Sequence, residues 1–267
     1  MFNTASFLPF VIRKQKKVIV TFTGGMGAQI LSAAIYFSIR NSGKEAYADL
    51  SYFDKLPVLA TEGEIGQISQ WNWQLDPFGL QPHHFETHHS KNTSREDVIV
   101  DGPRKIQLGL SSLQNRDIQK HFTILHAPVN FFGLDGIKYI CVHIRRGDYI
   151  NVASHIVPDE EFLNIANKFS SLCSNVVIVS DSRISPQLKD RFSAQFKNCI
   201  FLDDINSLTT HYIMRNAAIL ICSNSQFSLV AGTLNESGLV LAPKNWGDAD
   251  GIAETVSLFG NFQTLFS

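Results

Sequence analysis

Two adjacent arginines stand at the end of an apolar run in Val142-His143-Ile144-Arg145-Arg146-Gly147-Asp148-Tyr149. A guanidinium is a planar, permanently charged fork, so an arginine in that place is suited to clamp phosphate oxygens. Two further apolar runs end in residues of complementary type. Val176–Val179 is followed by Ser180-Asp181-Ser182, and Ile219–Cys222 by Ser223-Asn224-Ser225-Gln226-Phe227-Ser228. Serine hydroxyls and the amides that open a helix near Phe227 donate to phosphate. An aspartate accepts from a purine base or a ribose hydroxyl. The plainer alternative for Arg145, Arg146 and Asp148 is an ion-pair cluster that pins a turn. The agreement of three run ends favours a shared ligand.

The elements that must position these residues alternate regularly. The pattern predicts strands over Tyr139–Ile144, Val176–Val179, Ile200-Phe201, Ile219–Cys222 and Leu239–Ala242. Between them it predicts helices over Pro158–Leu172, Pro186–Phe196, Leu208–Asn216 and Phe227–Leu234. In the first helix Phe162, Ile165, Ala166 and Phe169 share one face. Strands alternating with helices imply an α/β fold with a mostly parallel sheet covered on both faces. Such sheets bind ligands beyond the carboxyl ends of their strands, which is where the three polar runs fall.

An earlier unit opens the chain in the same manner. Lys17–Phe22 reads as a strand, Gly24-Gly25-Met26-Gly27 as a tight loop, and Gln29–Arg40 as a helix with Leu31, Ala34, Ile35 and Ser38 on successive turns. The glycines let backbone turn sharply or approach a ligand. The spacing is not the dinucleotide fingerprint, for which Asp49 is only a loose acidic partner, and no Gly-Lys-Ser/Thr follows. From Leu50 to about Arg116, prolines and polar residues break the periodicity. This stretch is expected to be irregular, with short helices, and to carry local recognition. The domain expectation is a flexible leader over 1–17, an N-terminal domain over 18–135 and a C-terminal domain over 136–267.

Bulk properties bound the function. The 267 residues are 44% hydrophobic with a net charge of -1, so a real core can be buried and nothing in the bulk charge points to nucleic acid. A phosphate-bearing ligand must then be held locally. Cys141, Cys173, Cys199 and Cys222 form no C-x-x-C pair and read as free thiols suited to a reducing compartment. No run of about 18 apolar residues predicts a membrane span. At the start an apolar stretch precedes Arg13, Lys14, Lys16 and Lys17, the reverse of a signal peptide. It reads as a leader, or as a peripheral membrane contact made by Phe2, Phe7, Phe10 and the lysines. The expected location is cytoplasmic, with the inner face of the membrane as the variant of that reading.

Five strings now stand in order: T-G-G-M-G-A-Q-I, V-H-I-R-R-G-D-Y, V-S-D-S, S-N-S-Q-F-S and L-A-P-K-N-W. Together, over about Val18 to Trp246, they resemble the bacterial α-1,2-fucosyltransferases. The resemblance implies a GT-B-like α/β fold, two Rossmann-like domains facing a cleft. It implies inverting transfer of L-fucose from GDP-β-L-fucose to a galactoside hydroxyl in surface-glycan biosynthesis. The partners would be the GDP-sugar donor and an oligosaccharide or glycan acceptor, with no metal and no cofactor. By the same resemblance Arg145 would bind the GDP phosphates and stabilise the departing charge, while Arg146 and Asp148 support it. His143 would shape the phosphate site. Ser223, Asn224, Ser225 and Phe227 would hold phosphate and nucleotide, and Asp181 the guanine or ribose. Gly24, Gly25 and Gly27 would face the donor from the other domain. Two positions depart from the family pattern. Ala28 replaces an asparagine before Gln29, and Leu229-Val230-Ala231-Gly232 replaces a tryptophan-bearing helix.

Other groups admit two readings. His83, His84, His88 and His89 surround Glu86 and suggest either metal ligands or, with unfamiliar spacing for a metal, a solvated acceptor-side loop. Trp71 and Trp73 suit stacking on a sugar or packing, with at least one expected in the core. Asp203-Asp204 is expected to cap the helix near Leu208 or stay solvated. Three functions compete: GDP-fucose transfer, transfer from another GDP-sugar, and nucleotide binding without catalysis. Hydride transfer is disfavoured by the missing fingerprint.

Overall fold

The computed structural model describes residues 17–54, 72–88, 93, 97–128, 132–147, 149, 156–203, 205–243 and 262–264. The leader before Lys17, and Trp71, His89, Asp148, Asp204 and Trp246, lie outside the described residues. Two compact units divide at Leu125 and His126.

The N-terminal unit is built on a three-stranded parallel sheet in the order β2-β1-β3. These strands are β1 (Val18–Thr21), β2 (Ala46–Asp49) and β3 (Val98–Val100). Every residue of β1 is buried, as a central strand covered on both faces requires. Helix α1 (Met26–Asn41) begins three residues earlier than periodicity suggests, because Gly25 serves as its N-cap and Gly24 takes φ +72° before it. That left-handed conformation favours glycine.

Helix α2 (Gly102–Leu113) packs on α1, and the expectation of irregular chain over 50–116 fails there. Residues 98–113 are a strand followed by a twelve-residue helix. Pro103, read as a breaker, sits in the first helical turn, where no amide is needed, and Asp101 caps the helix through Gly102 N. Residues 72–88 do carry only short turns, Asp76–Phe78 and Pro82–His84. The short helix α3 (Arg116–Gln119) closes the unit.

The C-terminal unit is a six-stranded, all-parallel sheet in the order β6-β5-β4-β7-β8-β9. Its strands are β4 (Ile140–Ile144), β5 (Asn175–Ser180), β6 (Asn198–Asp203), β7 (Ile219–Ile221), β8 (Leu239–Ala242) and β9 (Phe262–Thr264). The helices between them are α4 (Asp159–Lys168), α5 (Pro186–Gln195), α6 (Ser207–Arg215) and α7 (Gln226–Thr233). Side chains alternate along β4. Ile140, Val142 and Ile144 pack with Phe162, Leu163 and Phe192 of α4 and α5. Cys141 and His143 therefore face the other side, where His143 meets Phe227 of α7. All five residues of β4 are buried, so each face has its own helical cover. The chain leaves β4 toward β5 on one side and returns to β7 on the other. The crevice between the ends of β4 and β7 is thus the switch point where such sheets bind ligands.

The four cysteines are free, with Cys141 and Cys222 buried in the sheet region. Among the described residues no helix is long and apolar enough to cross a membrane.

Candidate functional site

The strand β4 delivers Arg145 to its carboxyl end, and the strand β5 delivers Asp181 to the adjacent end. Asp181 Oδ2 pairs with Arg145 Nε at 3.0 Å. Its Oδ1 accepts from the amides of Arg146 at 2.8 Å and Gly147 at 3.3 Å. The Tyr149 ring lies under the Arg145 guanidinium, 5.4 Å from centroid to Cζ. The resulting cation–π contact and the carboxylate fix the arginine by one edge and one face.

Arg146 is turned inward. Its guanidinium donates to Asp159 Oδ1 at 2.5 Å, to the Val157 carbonyl at 2.8 Å and to the Arg145 carbonyl at 3.1 Å. It locks the loop to the start of α4. The two adjacent arginines, alike in sequence, thus have different surroundings. Asp159 was not legible as part of the site. It reads in sequence as one of three acidic residues opening a helix, where they complement the helix dipole.

His143 is 1% exposed, and its Nδ1 lies 2.7 Å from Ser223 Oγ. Burial, reinforced by the nearby Arg145 charge, pushes its pKa down to about 3. The imidazole is neutral at neutral pH and ties β4 to the loop after β7. Ser228, in the first turn of α7, donates to the carbonyls of Ser223 and Ser225, both at 3.1 Å. His211 of α6 is also fully buried, its ring 5.4 Å from Phe227. Burial first, then Arg215 and His143, holds it well below the usual imidazole range.

The loop Ser223–Ser225 opens α7. Ser225 Oγ accepts from Phe227 N at 3.3 Å as the N-cap. The two serine hydroxyls expected to hold phosphate are therefore engaged in building the loop. Asn224 is only 4% exposed, and its Oδ1 has no hydrogen-bond partner among the described residues. The same is true of the buried Oε1 of Gln226, which the sequence reading did not single out. An unsatisfied buried acceptor oxygen has a cost unless a ligand or water donates to it, so both oxygens are free to accept at the start of α7.

The glycine loop belongs to the N-terminal unit and is closed by a reciprocal pair of amides. Gln29 Nε2 donates to the carbonyls of Gly24 and Asn72, both at 2.8 Å, and its Oε1 accepts from Gln74 N at 2.8 Å. Gln74 Oε1 in turn accepts from Met26 N at 2.9 Å. Gly25 caps α1 and Gly27 is buried within its first turn. Ala28 Cβ stands where it would touch a β-carbon on Gly24 at 3.3 Å. Close by, Lys105 Nζ reaches the Thr21 carbonyl at 3.2 Å and Thr23 Oγ1 at 3.1 Å. Burial lowers its pKa to about 8 against the opposing pull of Asp101.

The remaining candidates resolve into local structure. Trp73 packs among Phe22, Phe53 and Phe85 and donates from Nε1 to the Leu80 carbonyl at 2.8 Å. His84 Nδ1 accepts from Gln81 N, His88 lies edge-on to Tyr47, and Glu86 pairs with Arg40. Asp203 does not cap the helix near Leu208. Its Oδ2 accepts from Ile184 N at 3.0 Å, and Asn206 caps α6 instead. Among the described residues no cluster of three His, Cys, Asp or Glu is placed to hold a metal.

This site, from the approach to β4 through β8, falls inside a stretch that matches a known profile. Residues 116–260, more than half of the 267, match glycosyl transferase family 11. The chain belongs to glycosyl transferase family 11. No curated protein matches this family 11 chain in sequence. Solved structures do resemble it. The ADP-heptose LPS heptosyltransferase II of E. coli aligns over 93% of this chain and 90% of its own, with 12% identity and a TM-score of 0.50. E. coli heptosyltransferase WaaC with ADP aligns over 93% and 92%, with 12% identity and a TM-score of 0.48. POFUT1 in complex with GDP-fucose aligns over 84% and 96%, with 9% identity and a TM-score of 0.43. At 12% identity the likeness to heptosyltransferase II is one of fold. The family 11 chain has the GT-B-like α/β fold of two Rossmann-like units, and it is a glycosyltransferase.

Proposed function

We propose that the protein transfers L-fucose from GDP-β-L-fucose to a hydroxyl of a galactoside, with inversion and in α-1,2 linkage. The observation that carries this reading is Arg145, held by Asp181 and Tyr149 at the β4–β7 switch point of a family 11 chain. Breaking the bond between the sugar C1 and the phosphate oxygen leaves its electron pair on GDP. The acceptor oxygen attacks C1 from the opposite face and releases its proton. A guanidinium fixed before reaction stabilises the departing diphosphate without reorganising. Asn224 and Gln226 offer buried acceptor oxygens at the start of α7, suited to hydroxyl or N–H donors of the sugar or nucleoside, and His143 acts as a neutral brace through Ser223. Asp181 is a positioning residue for Arg145, and Arg146 for the loop. No metal enters this scheme, because the arginine and helix amides carry the charge. The acceptor would be a glycan that carries a galactoside.

A second reading is favoured by Ala28, which leaves the glycine loop without the side-chain amide of the family pattern. In that reading the chain binds a GDP-sugar but moves a different sugar, or none. One experiment separates these. Purified protein is tested for thermal stabilisation by GDP, UDP, ADP and NAD, with and without EDTA, and then for GDP release from GDP-fucose with galactoside acceptors. Stabilisation by GDP that survives EDTA, followed by acceptor-dependent release, supports fucosyl transfer. GDP binding without release from GDP-fucose selects the second reading. Preference for UDP or NAD overturns both.

A further inference from the structure

A hollow of about 510 Å³ opens at the carboxyl ends of β5 and β6, lined by Asp181, Ser182, Arg183, Lys189 and Asp203. It adjoins the phosphate-side cluster, because Asp181 also holds Arg145. Most of its charges are matched inside the protein. Lys189 Nζ pairs with Asp203 Oδ2 at 3.4 Å, and the same oxygen accepts from Ile184 N. Asp181 is engaged by the Arg145 loop. Arg183 makes no ion pair among the described residues. An exposed guanidinium thus stands in a polar hollow two strands from the switch point.

In doubly wound sheets, phosphates sit at the switch point and the nucleoside extends over the neighbouring strand ends. A base reaching β5 and β6 from Arg145 would enter this hollow. Guanine presents O6 and N7 as two acceptors on one edge, and the guanidinium fork matches both. Adenine places an amino group where guanine has O6, so donor would face donor. We propose that the hollow takes the guanine base of the donor nucleotide, and that Arg183 reads its O6/N7 edge. Arg183 is then the residue that prefers a guanosine over an adenosine diphosphate. The proposal rests on the GDP-sugar reading of the site.

The test is calorimetric binding of GDP, inosine diphosphate, ADP and UDP to the full chain and to its Arg183→Ala and Arg183→Lys variants. Inosine diphosphate keeps O6 and N7 and lacks the 2-amino group. The expected result is that the unsubstituted chain binds GDP and inosine diphosphate in preference to ADP. Arg183→Ala should weaken both by about tenfold or more and leave ADP unchanged, while Arg183→Lys retains part of the preference. If Arg183→Ala keeps the full preference for GDP over ADP, the assignment of Arg183 is overturned and the GDP-sugar reading stands. If inosine diphosphate binds as poorly as ADP, the O6/N7 edge is not what is read, and the proposal falls. If the unsubstituted chain binds no GDP, both the proposal and the reading beneath it fall.

Discussion

Asp181 Oδ2 lies 3.0 Å from Arg145 Nε, and the same oxygen occupies the space that a β-carbon on Gly147 would need. The arginine is held in place only because residue 147 has no side chain. Gly147→Ala should push the carboxylate off the arginine and lower turnover by about 10²-fold, the cost of a misplacement near 1 Å. Gly147 is exposed, so the thermal midpoint should hardly move. Near-normal turnover in this variant would show that the Asp181 pair does not position the arginine.

Arg145→Ala should lower transfer by about 10²- to 10³-fold with the fold intact, because a preorganised charge is removed from where negative charge develops. Arg145→Lys should recover little of this, since a point charge replaces neither the fork nor the stacking on Tyr149. Steady-state turnover beside circular dichroism checks both. Wild-type rates in either variant would remove Arg145 from the mechanism.

Acid should destabilise the protein in a particular window. The pKa of His143 is about 3 in the fold, below an unfolded value near 6.5. Between those values the unfolded chain binds a proton that the folded chain does not. Stability is therefore full above about pH 6.5 and falls as pH drops toward 3, by on the order of 5 kcal/mol from this group. His211 acts in the same direction. Urea unfolding at a series of pH values should show a shallower decline for His143→Gln than for the unsubstituted protein. Parallel pH profiles would mean that the imidazole is not buried neutral.

Helices α1 and α2 touch at Gly109, where an added β-carbon would stand 2.7 Å from Leu31 Cβ and 3.0 Å from Leu31 Cα. Gly109→Ala should overpack this contact and cost about 1–3 kcal/mol in denaturant unfolding. A stability gain, as expected for alanine in an open helix position, would contradict the close approach.

Much of the C-terminal unit was legible because a strand buried on both faces must be a continuous apolar run. Val176–Val179 and Ile219–Cys222 were such runs, and their ends pointed to Asp181 and Ser223. The strand over 98–100 was not legible, because three residues carry too little periodicity. Pro103 then masked the helix after it. The different surroundings of Arg145 and Arg146 were likewise invisible, since both have the same chemistry in one string. They depend on Asp159 and Asp181, which lie 13 and 36 residues away along the chain.

The sequence by itself determined the alternation of strand and helix, the parallel sheet and the polar residues at its strand ends. These follow from local periodicity and from the chemistry of each residue type. Only the tertiary structure decided which arginine faces Asp181 and Tyr149, which serines are engaged as braces, and that His143 is neutral. Those properties depend on burial and on partners brought close by folding, and neither is a property of a residue in its own stretch of chain.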